Sequence, residues 1–273
     1  MHLPHIAVVV TTYNWPRALE AVLESLERQS YRKFEVLVAD DGSGRAMAGL
    51  IEELSERVAY PLRHVWQEDE GFRAAAIRNQ AVAHTRAEYI LFLDGDCLVR
   101  PDFLQRHALL ARRGHFVAGN RVLLSRVFSR RVLEHGLPIA GWGAGRWLAA
   151  RLLGGINRFL SLARLPLGRL RDRAPRRWEG VKTCNLGLWR KDFLAVNGLD
   201  ERYRGWGYED SDLVIRLIRN GVGRRDGRFA TTVLHLWHPE HQREGTTKNL
   251  ARLQALEESA VIRAGQGVER YLS

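Results

Sequence analysis

Two aspartates separated by one glycine, Asp94-Gly95-Asp96, follow the apolar run 90–93. A short apolar run bounded by polar residues predicts a buried strand of a mostly parallel sheet, and ligands bind at the carboxyl ends of such strands. Two carboxylates placed there repel each other unless a cation lies between them, and Gly95 permits a tight turn close to a ligand. The motif therefore predicts a site for a hard divalent metal and a phosphate-bearing substrate. The alternative is a solvated turn of a β-hairpin.

Other polar side chains fall where further predicted strands end. Strands are predicted over 5–12, 34–39, 62–66, 89–93 and 115–123, with helices over 17–30, 46–58, 71–85 and 101–112 between them. This alternation predicts a doubly wound α/β sheet whose right-handed crossovers bring the carboxyl ends of the strands to one edge. A nucleotide could lie at that edge, beside the loops 12–14, 40–41, 68–70 and 94–96.

The pattern resumes after residue 178. A strand over 181–189, a short helix over 191–196, an amphipathic helix after the acidic block 209–212 and a last strand over 229–237 precede a helical tail. No phosphate-binding loop of the Walker type is present, and the glycines of 141–145 lack the preceding strand and the spacing of a dinucleotide-binding fingerprint. Cys97 and Cys184 are too few for a disulfide framework, which favours a reducing compartment. The first residues show no signal-peptide pattern, and no apolar stretch approaches the ~20 residues that span a bilayer.

The formal charge of +11 is concentrated in one segment. Residues 121–178 contain 13 Arg, no Lys and two acidic residues, whereas the rest of the chain has 29 basic and 29 acidic residues. Such a segment is typical of nucleic-acid binders, of membrane-surface modules and of sites for anionic acceptors.

Within this basic segment, 146–165 is predicted to form an amphipathic helix. Helical spacing groups apolar residues on one side and arginines on the other: Leu148, Leu152, Ile156, Phe159, Leu160 and Ala163 against Arg146, Arg151, Arg158 and Arg164. Arginines opposite an apolar face favour docking on an anionic membrane surface. An ordinary helix packed on the sheet is the alternative, and Gly154-Gly155 weakens any helix here. The same arginines could instead bind a phosphorylated, lipid-linked acceptor.

Four motifs resemble glycosyltransferase family 2 in order and spacing: Thr11-Thr12-Tyr13-Asn14, Asp40-Asp41-Gly42-Ser43, Arg78-Asn79 and Asp94-Gly95-Asp96. The second half resembles the family 7 galactosyltransferases and the bacterial chondroitin-polymerase-like enzymes. There the matching residues are 197–201, the block 205–213 and the two later histidines, His235 and His238. The matches span about residues 6 to 238 and leave out most of 121–178. The block 205–213 also resembles that of bacterial sugar transferases that build lipopolysaccharide core or surface glycans.

The resemblance implies a GT-A fold and an inverting transfer of a hexose from a UDP-sugar to a saccharide or lipid-linked acceptor. It implies a divalent metal, Mn²⁺ or Mg²⁺, and no nucleic acid. With the basic segment it implies a cytoplasmic enzyme, peripheral on the inner membrane face. The corresponding division is 1–120 for the nucleotide sugar, 121–178 as a basic helical insertion, 179–245 for acceptor and catalysis, and 246–273 as a tail.

For the donor, the resemblance assigns Thr11 and Tyr13 to the base pocket, Asp40 to base or ribose, and Arg73 to base or phosphate. Asn79 joins them as a donor-binding residue through its motif. An N-cap is the alternative for Asp40, and a surface ion pair is the alternative for Arg73 and Arg78.

Asp96, at the open end of its loop, is predicted to be the first metal ligand, and Asp94, nearer the strand, is predicted to hold the ribose and share the metal indirectly. His238, before His235, is expected to complete the metal site because imidazole suits Mn²⁺. On a regular strand, residues three apart point to opposite faces, so a turn near residue 237 is needed to bring both histidines inward. A structural role is the alternative for each histidine.

The acceptor hydroxyl must lose its proton as it attacks, and a nearby carboxylate serves as general base. The resemblance assigns Asp210 as the base, Glu209 as a second catalytic and acceptor-binding acid, Trp206 as a platform for a sugar ring, and Tyr208 as an acceptor contact. The positive end of the helix dipole explains acids at these two positions without catalysis, and the two can exchange roles.

Two other classes remain open at this point. A nucleotidyltransferase shares the sheet and the metal but should carry a basic glycine-rich loop after the first strand, where this chain has 11–14. A non-catalytic adaptor would use only the arginines, for nucleic acid or membrane, and its nucleic-acid binding would depend steeply on salt.

Overall fold

Ten strands form two sheets in the computed structural model, which describes residues 3–239 and 245–272. The strands are β1 (Ile6–Thr12), β2 (Phe34–Asp40), β3 (Leu62–Trp66), β4 (Tyr89–Asp94), β5 (Cys97–Val99), β6 (His115–Ala118), β7 (Asn120–Leu123), β8 (Asn185–Trp189), β9 (Gly223–Asp226) and β10 (Thr232–His235). The large sheet has the order β3-β2-β1-β4-β8-β6-β9, and the small one has the order β5-β10-β7.

Helices cover both faces of the large sheet. They are α1 (Pro16–Glu27), α2 (Arg45–Arg57), α3 (Ala74–Ala83), α4 (Phe103–Leu110), α5 (Arg126–His135), α6 (Ala144–Leu152), α7 (Arg190–Ala195), α8 (Glu209–Arg219) and α9 (Thr246–Glu257). Successive residues of a strand point to opposite faces. In β1, Ile6, Val8 and Val10 pack with α1 and α2, whereas Ala7 and Val9 pack with α3 and α8.

The predicted doubly wound, mostly parallel sheet is confirmed. β1 pairs in parallel with β2 and β4, β2 with β3, and β6 with β9. Among the described strands of this sheet, only β8 is antiparallel to its neighbours, and it lies between β4 and β6. Because β8 comes from the second half of the chain, both halves build one sheet.

The single strand predicted over 115–123 is wrong, because the chain leaves the large sheet at Gly119. β6 ends at Ala118, and β7 pairs with β10 in the small sheet. A Cβ on residue 119 would lie 2.1 Å from the Asn185 side chain, so only glycine fits at this crossing. The predicted boundary between 120 and 121 thus falls inside a strand.

The continuous helix predicted over 146–165 is also wrong. α6 ends at Leu152, and Gly154 has a φ of +70°, which breaks the helical path. Ile156 then pairs with Leu124 as a β-bridge, and a 3₁₀ turn follows over Leu160–Leu162. Glycine adopts positive φ without steric cost, which explains the break at this position.

Some arginines of the basic segment stabilise the fold itself. Arg164 donates to both carboxylate oxygens of Asp102, at 3.0 and 2.7 Å. The buried Arg171 donates to the carbonyl oxygens of Asp226, Arg228 and Leu165. These contacts anchor the segment to the rest of the chain. Throughout 3–239 and 245–272, no helix is both long and apolar enough to cross a membrane.

Asn79 in α3 ties the first half of the chain to the second. Its Nδ2 donates to Leu199 O (2.8 Å) and to Glu201 Oε1 (2.9 Å), and its Oδ1 accepts from Leu199 N (3.0 Å). The side chain is fully buried. The other oxygen of Glu201 accepts from Arg270 and Tyr271 near the end of the described chain. This network joins α3, the loop before α8 and the C-terminal residues.

We expect Asn79→Ala to lower the free energy of unfolding by at least about 2 kcal/mol. It removes three hydrogen bonds, and a buried polar group that loses its partner costs about 1–3 kcal/mol. Urea denaturation measures the change. Asn220→Ala, at an exposed residue after α8, is the matched control, with an expected change within about 0.5 kcal/mol. A loss no larger than the control's would show that the network does not stabilise the fold.

Candidate active site

A cleft of about 460 Å³ opens at the carboxyl ends of β1 and β4. The turn after β4 packs against β1, since Gly95 N donates to Thr11 O at 2.7 Å. The cleft is bounded by both sheets and by the loops before α3 and α8. Its lining residues are Thr11, Thr12, Tyr13, Trp15, Asp41, Phe72, Ala74, Arg78, Asp94, Gly95, Asp96, Arg121, Leu123, Leu124, Trp206, His235, Trp237 and His238.

Asp96 faces both predicted histidine ligands. Its Oδ2 lies 3.6 Å from His235 Nε2 and 3.4 Å from His238 Nε2. A backbone hydrogen bond from Leu236 N to Asp96 O (2.9 Å) brings the end of β10 beside this loop. Because β10 ends at His235, the chain turns before His238 and both rings reach the same carboxylate. The structure therefore brings together the three side chains predicted to hold a metal.

The donor set fits a divalent cation. Two ligands that share an ion at about 2.1 Å lie roughly 3–4 Å apart, as the Asp96–histidine distances do. Pro239 O lies 2.8 Å from His238 Nδ1 and can only accept, so it fixes a tautomer whose Nε2 lone pair faces Asp96. Carboxylate and imidazole together suit Mn²⁺ among the oxygen-preferring cations.

Burial raises the pKa of Asp96, and the nearby Asp94 raises it further, while the two histidines lower it. A bound cation would remove this penalty on the ionised form. Cys97 also lies in the cluster, with its sulfur donating to Asp96 Oδ1 at 3.4 Å. Burial and the neighbouring Cys184 raise the pKa of Cys97 well above its ordinary range, so its thiol stays neutral.

Arg78 joins the two halves of the cleft. Its guanidinium donates to Thr11 Oγ1 (2.9 Å), Asp94 Oδ1 (3.1 Å) and Glu209 Oε1 (3.3 Å). Only 4% of the residue is exposed. A surface ion pair, considered above for Arg78, is therefore wrong, because the pairs are buried. The Arg78-Asn79 motif marked this residue in the sequence, but the sequence did not show that Arg78 contacts Thr11, Asp94 and Glu209.

Glu209 and Asp210 begin α8, and both are buried. Burial raises the pKa of Glu209, and the adjacent Asp210 raises it further, whereas Arg78 lowers it. Asp210 Oδ1 accepts from Ser211 N (2.8 Å), and Oδ2 lies 3.3 Å from Lys182 Nζ. Glu209 is thus held by a buried arginine, whereas Asp210 is held by a lysine that is about half exposed.

Three of the predicted donor-binding residues besides Asp96 line the cleft: Thr11, Tyr13 and Asp94. Tyr13 is largely exposed, and its hydroxyl donates to Asp69 Oδ2 at 2.8 Å. That bond places the ring at the rim, where a base could stack.

Asp40, Arg73 and Asn79 lie elsewhere. Asp40 is fully buried. Its Oδ1 accepts a hydrogen bond from Ser43 N at 2.9 Å, and its Oδ2 lies 2.9 Å from His64 Nε2. The next residue, Asp41, lines the cleft in its place and accepts from Arg73 N at 2.8 Å.

The Arg73 side chain points to Glu68 and Glu70, and the Asn79 amide donors are both used within the protein. Alternation along a strand decides between Asp40 and Asp41, and the sequence alone could not fix which of them faces the cleft.

Of the predicted acceptor residues, Trp206 lines the cleft and is 42% exposed. Tyr208 instead packs with Ile215, Leu253 and Leu256, and its φ of +74° turns the chain into α8. The sequence reasoning missed Phe72, Arg121 and Trp237 as cleft residues. Trp237 stands between the two histidines, which was the available signal.

Residues 7–151 match the family described as Glycosyl transferase family 2, and residues 171–241 match the N-terminal domain of galactosyltransferase. The validoxylamine A glucosyltransferase of Streptomyces hygroscopicus subsp. jinggangensis is 31% identical over 237 residues, 81% of this chain and 53% of that protein. The chondroitin synthase of Escherichia coli is 25% identical over 79% of this chain and 32% of its own length. The chain thus spans about half the length of the glucosyltransferase.

Among solved structures, a mannosyltransferase from Pyrobaculum calidifontis in complex with GDP-Man and Mn²⁺ superposes with a TM-score of 0.62 at 18% identity, covering 100% of this chain and 70% of that one. TarS 1–349 of S. aureus in complex with UDP gives 0.61 at 14%, covering 97% and 68%. These likenesses establish the GT-A fold. The sheet, the ordered motifs and the family match together show that the chain belongs to glycosyltransferase family 2.

Proposed function

We propose that this protein transfers a hexose, with inversion, from a UDP-sugar to a saccharide or glycolipid acceptor with the help of a divalent metal. The observation that carries the proposal is the convergence of Asp96, His235 and His238 in a cleft that also contains Tyr13 and Trp206. The UDP bound by TarS, and the GDP-Man and Mn²⁺ bound by the mannosyltransferase, support a nucleotide sugar and a metal.

In this proposal Asp96, His238 and His235 hold Mn²⁺ or Mg²⁺. The ion would neutralise the charge that develops on the departing diphosphate. Thr11, Tyr13 and Asp41 bind the nucleoside, with Asp41 taking the place predicted for Asp40 because it faces the cleft. Asp94 keeps its predicted contact with the ribose, and Arg78 fixes its orientation.

UDP with Mn²⁺ should stabilise the protein by about 2.7 kcal/mol at 100 times the dissociation constant, because a ligand that binds only the folded state shifts the unfolding equilibrium. A thermal-shift panel of nucleotides with and without Mn²⁺ measures this effect. Asp96→Asn should abolish the Mn²⁺-dependent part, since a neutral amide is a weaker ligand for a hard cation. Asp192→Asn, outside the cleft, should keep it. No response to any uridine nucleotide would reject the donor assignment.

Asp210 acts as the general base in this proposal. The buried Arg78 fixes Glu209, whereas Lys182, with its flexible side chain partly in solvent, can release Asp210 when an acceptor enters. The Ser211 amide orients the Asp210 carboxylate. Trp206 offers a face to the acceptor sugar, and Glu209 binds its hydroxyls. The acceptor proton passes to Asp210 as its oxygen attacks the anomeric carbon and the diphosphate leaves from the opposite side.

Asp210→Asn should lower kcat by about 10²–10⁴, the usual contribution of a general base. The UDP thermal shift should stay, because Asp210 does not hold the donor. Glu209→Gln should instead raise KM for the acceptor more than it lowers kcat. Single-turnover assays with a nucleotide-sugar panel separate the two effects. The base would be Glu209 if its variant loses turnover and the Asp210 variant retains it.

An anionic membrane surface is the second partner that we propose. Between residues 148 and 160 of the basic segment, four leucines are exposed, with Leu148 at 46%, Leu152 at 78%, Leu153 at 85% and Leu160 at 74%. Exposed arginines alternate with them: Arg146, Arg151 and Arg158. Leucines that insert at an interface and arginines that meet anionic lipid favour docking. This surface fits an enzyme of lipopolysaccharide or surface-glycan assembly at the cytoplasmic face of the inner membrane.

Replacing these four leucines by serine should weaken binding to vesicles of phosphatidylglycerol and phosphatidylcholine at least tenfold, because burying each leucine in lipid is worth about 1 kcal/mol or more. Vesicle sedimentation measures the binding. The variant should stay folded, since the leucines are exposed. Leu109→Ser with Leu272→Ser, at exposed leucines elsewhere, is the control. Equal binding by both variants would reject the docking surface.

A further inference from the structure

One wall of the cleft is formed by the small sheet and the residues that follow β10. Leu123 in β7 pairs with His235 in β10, which pairs with Cys97 in β5. Two strand spacings, or about 10 Å, therefore separate Leu123 from the residue after Asp96. Arg121 lies two residues before Leu123, on the same face of β7, and both side chains line the cleft.

Trp237 completes this wall, and Arg126 of α5 lies against its ring. Trp237 N donates to Ser129 Oγ at 2.7 Å, which fixes the tryptophan against α5. The Arg126 guanidinium carbon lies 5.0 Å from the centre of the Trp237 ring, within the range of a cation–π contact. Trp237 is 38% exposed and lines the cleft. An aromatic ring in contact with a cation therefore stands beside the side chains that we propose to hold the metal.

The charges of the cleft show what this wall attracts. Arg78, the other arginine in the lining, is engaged by Asp94 and Glu209. Arg121 is exposed and makes no ion pair with the described residues. Arg126 opens α5, whose first turn has no acidic residue and carries the positive end of the helix dipole. The wall therefore carries positive charge that nothing in the described chain neutralises.

We propose that Arg121 and Arg126, with Trp237, form an acceptor subsite for a saccharide that carries a phosphate or carboxylate group. The inference rests on the proposed transfer function and adds the chemical class of its acceptor. A guanidinium binds either anion through paired hydrogen bonds. The donor diphosphate belongs at Asp96, so the anion at Arg121 is supplied by the acceptor. Trp237 would contact the sugar ring that bears this group.

The test measures binding of α-D-glucose 1-phosphate and of methyl α-D-glucoside by isothermal titration calorimetry, with the donor site filled by UDP and Mn²⁺. The wild-type protein should bind the phosphate at least tenfold tighter than the neutral glycoside. Arg121→Gln should weaken phosphate binding about tenfold and leave the glycoside and UDP unchanged. Arg121→Lys should give an intermediate loss, because it keeps the charge but not the paired hydrogen bonds. Arg131→Gln, an exposed arginine of α5 outside the cleft, should change none of the three.

Two outcomes overturn the subsite. A loss of UDP affinity in Arg121→Gln that equals the loss for the phosphate would assign this arginine to the donor diphosphate. Equal affinities of the wild-type protein for phosphate and glycoside would show that the wall does not select anions. If UDP fails to bind at all, the donor assignment fails, and the same titrations without UDP still decide whether Arg121 binds the phosphate.

Discussion

Repulsion between carboxylates at one sheet edge is the constraint on which this site depends. Asp94 and Asp96 flank Gly95 in the turn after β4, whereas Glu209 comes from the start of α8. Burial raises the pKa of Asp96 and of Glu209. Such acids stay ionised together only if cations are placed among them. Arg78 meets this need for Asp94 and Glu209, at the cost of a buried guanidinium. At Asp96 the ring nitrogens of His235 and His238 lie 3.6 and 3.4 Å from the carboxylate, and in our proposal a metal ion held by these three side chains supplies the positive charge.

The second sheet places these groups opposite one another. The chain passes from the large sheet to the small one at Gly119, and β10 then runs between β5 and β7. This arrangement carries His235 and Trp237 to the turn after β4, although more than 130 residues separate them along the chain. The carboxyl ends of β1 and β4, from the first half of the chain, and the end of β10, from the second half, therefore line the same cleft.

The arginine-rich segment has three different roles in the structure. Arg164 and Arg171 hold the segment in place through buried or partly buried hydrogen bonds. Arg121 lines the cleft, Arg126 lies against the ring of Trp237, and the arginines among the exposed leucines face solvent. Asn157 connects the last two regions, because it is hydrogen-bonded to the backbone of Leu123. A lipid-linked acceptor with an anionic group would meet the surface and the cleft in succession.

The sequence by itself determined the sheet, most helices and the acidic loop, because short apolar runs and helical spacing are local properties of the chain. It also placed Asp96, His235 and His238 in one site through their motifs. Only the tertiary structure decided that Asp41 rather than Asp40 faces the cleft, that Asn79 joins the two halves, and that the predicted helix stops before Gly154. Those outcomes depend on strand register, on buried hydrogen bonds between distant residues and on packing against other segments, which no local pattern encodes.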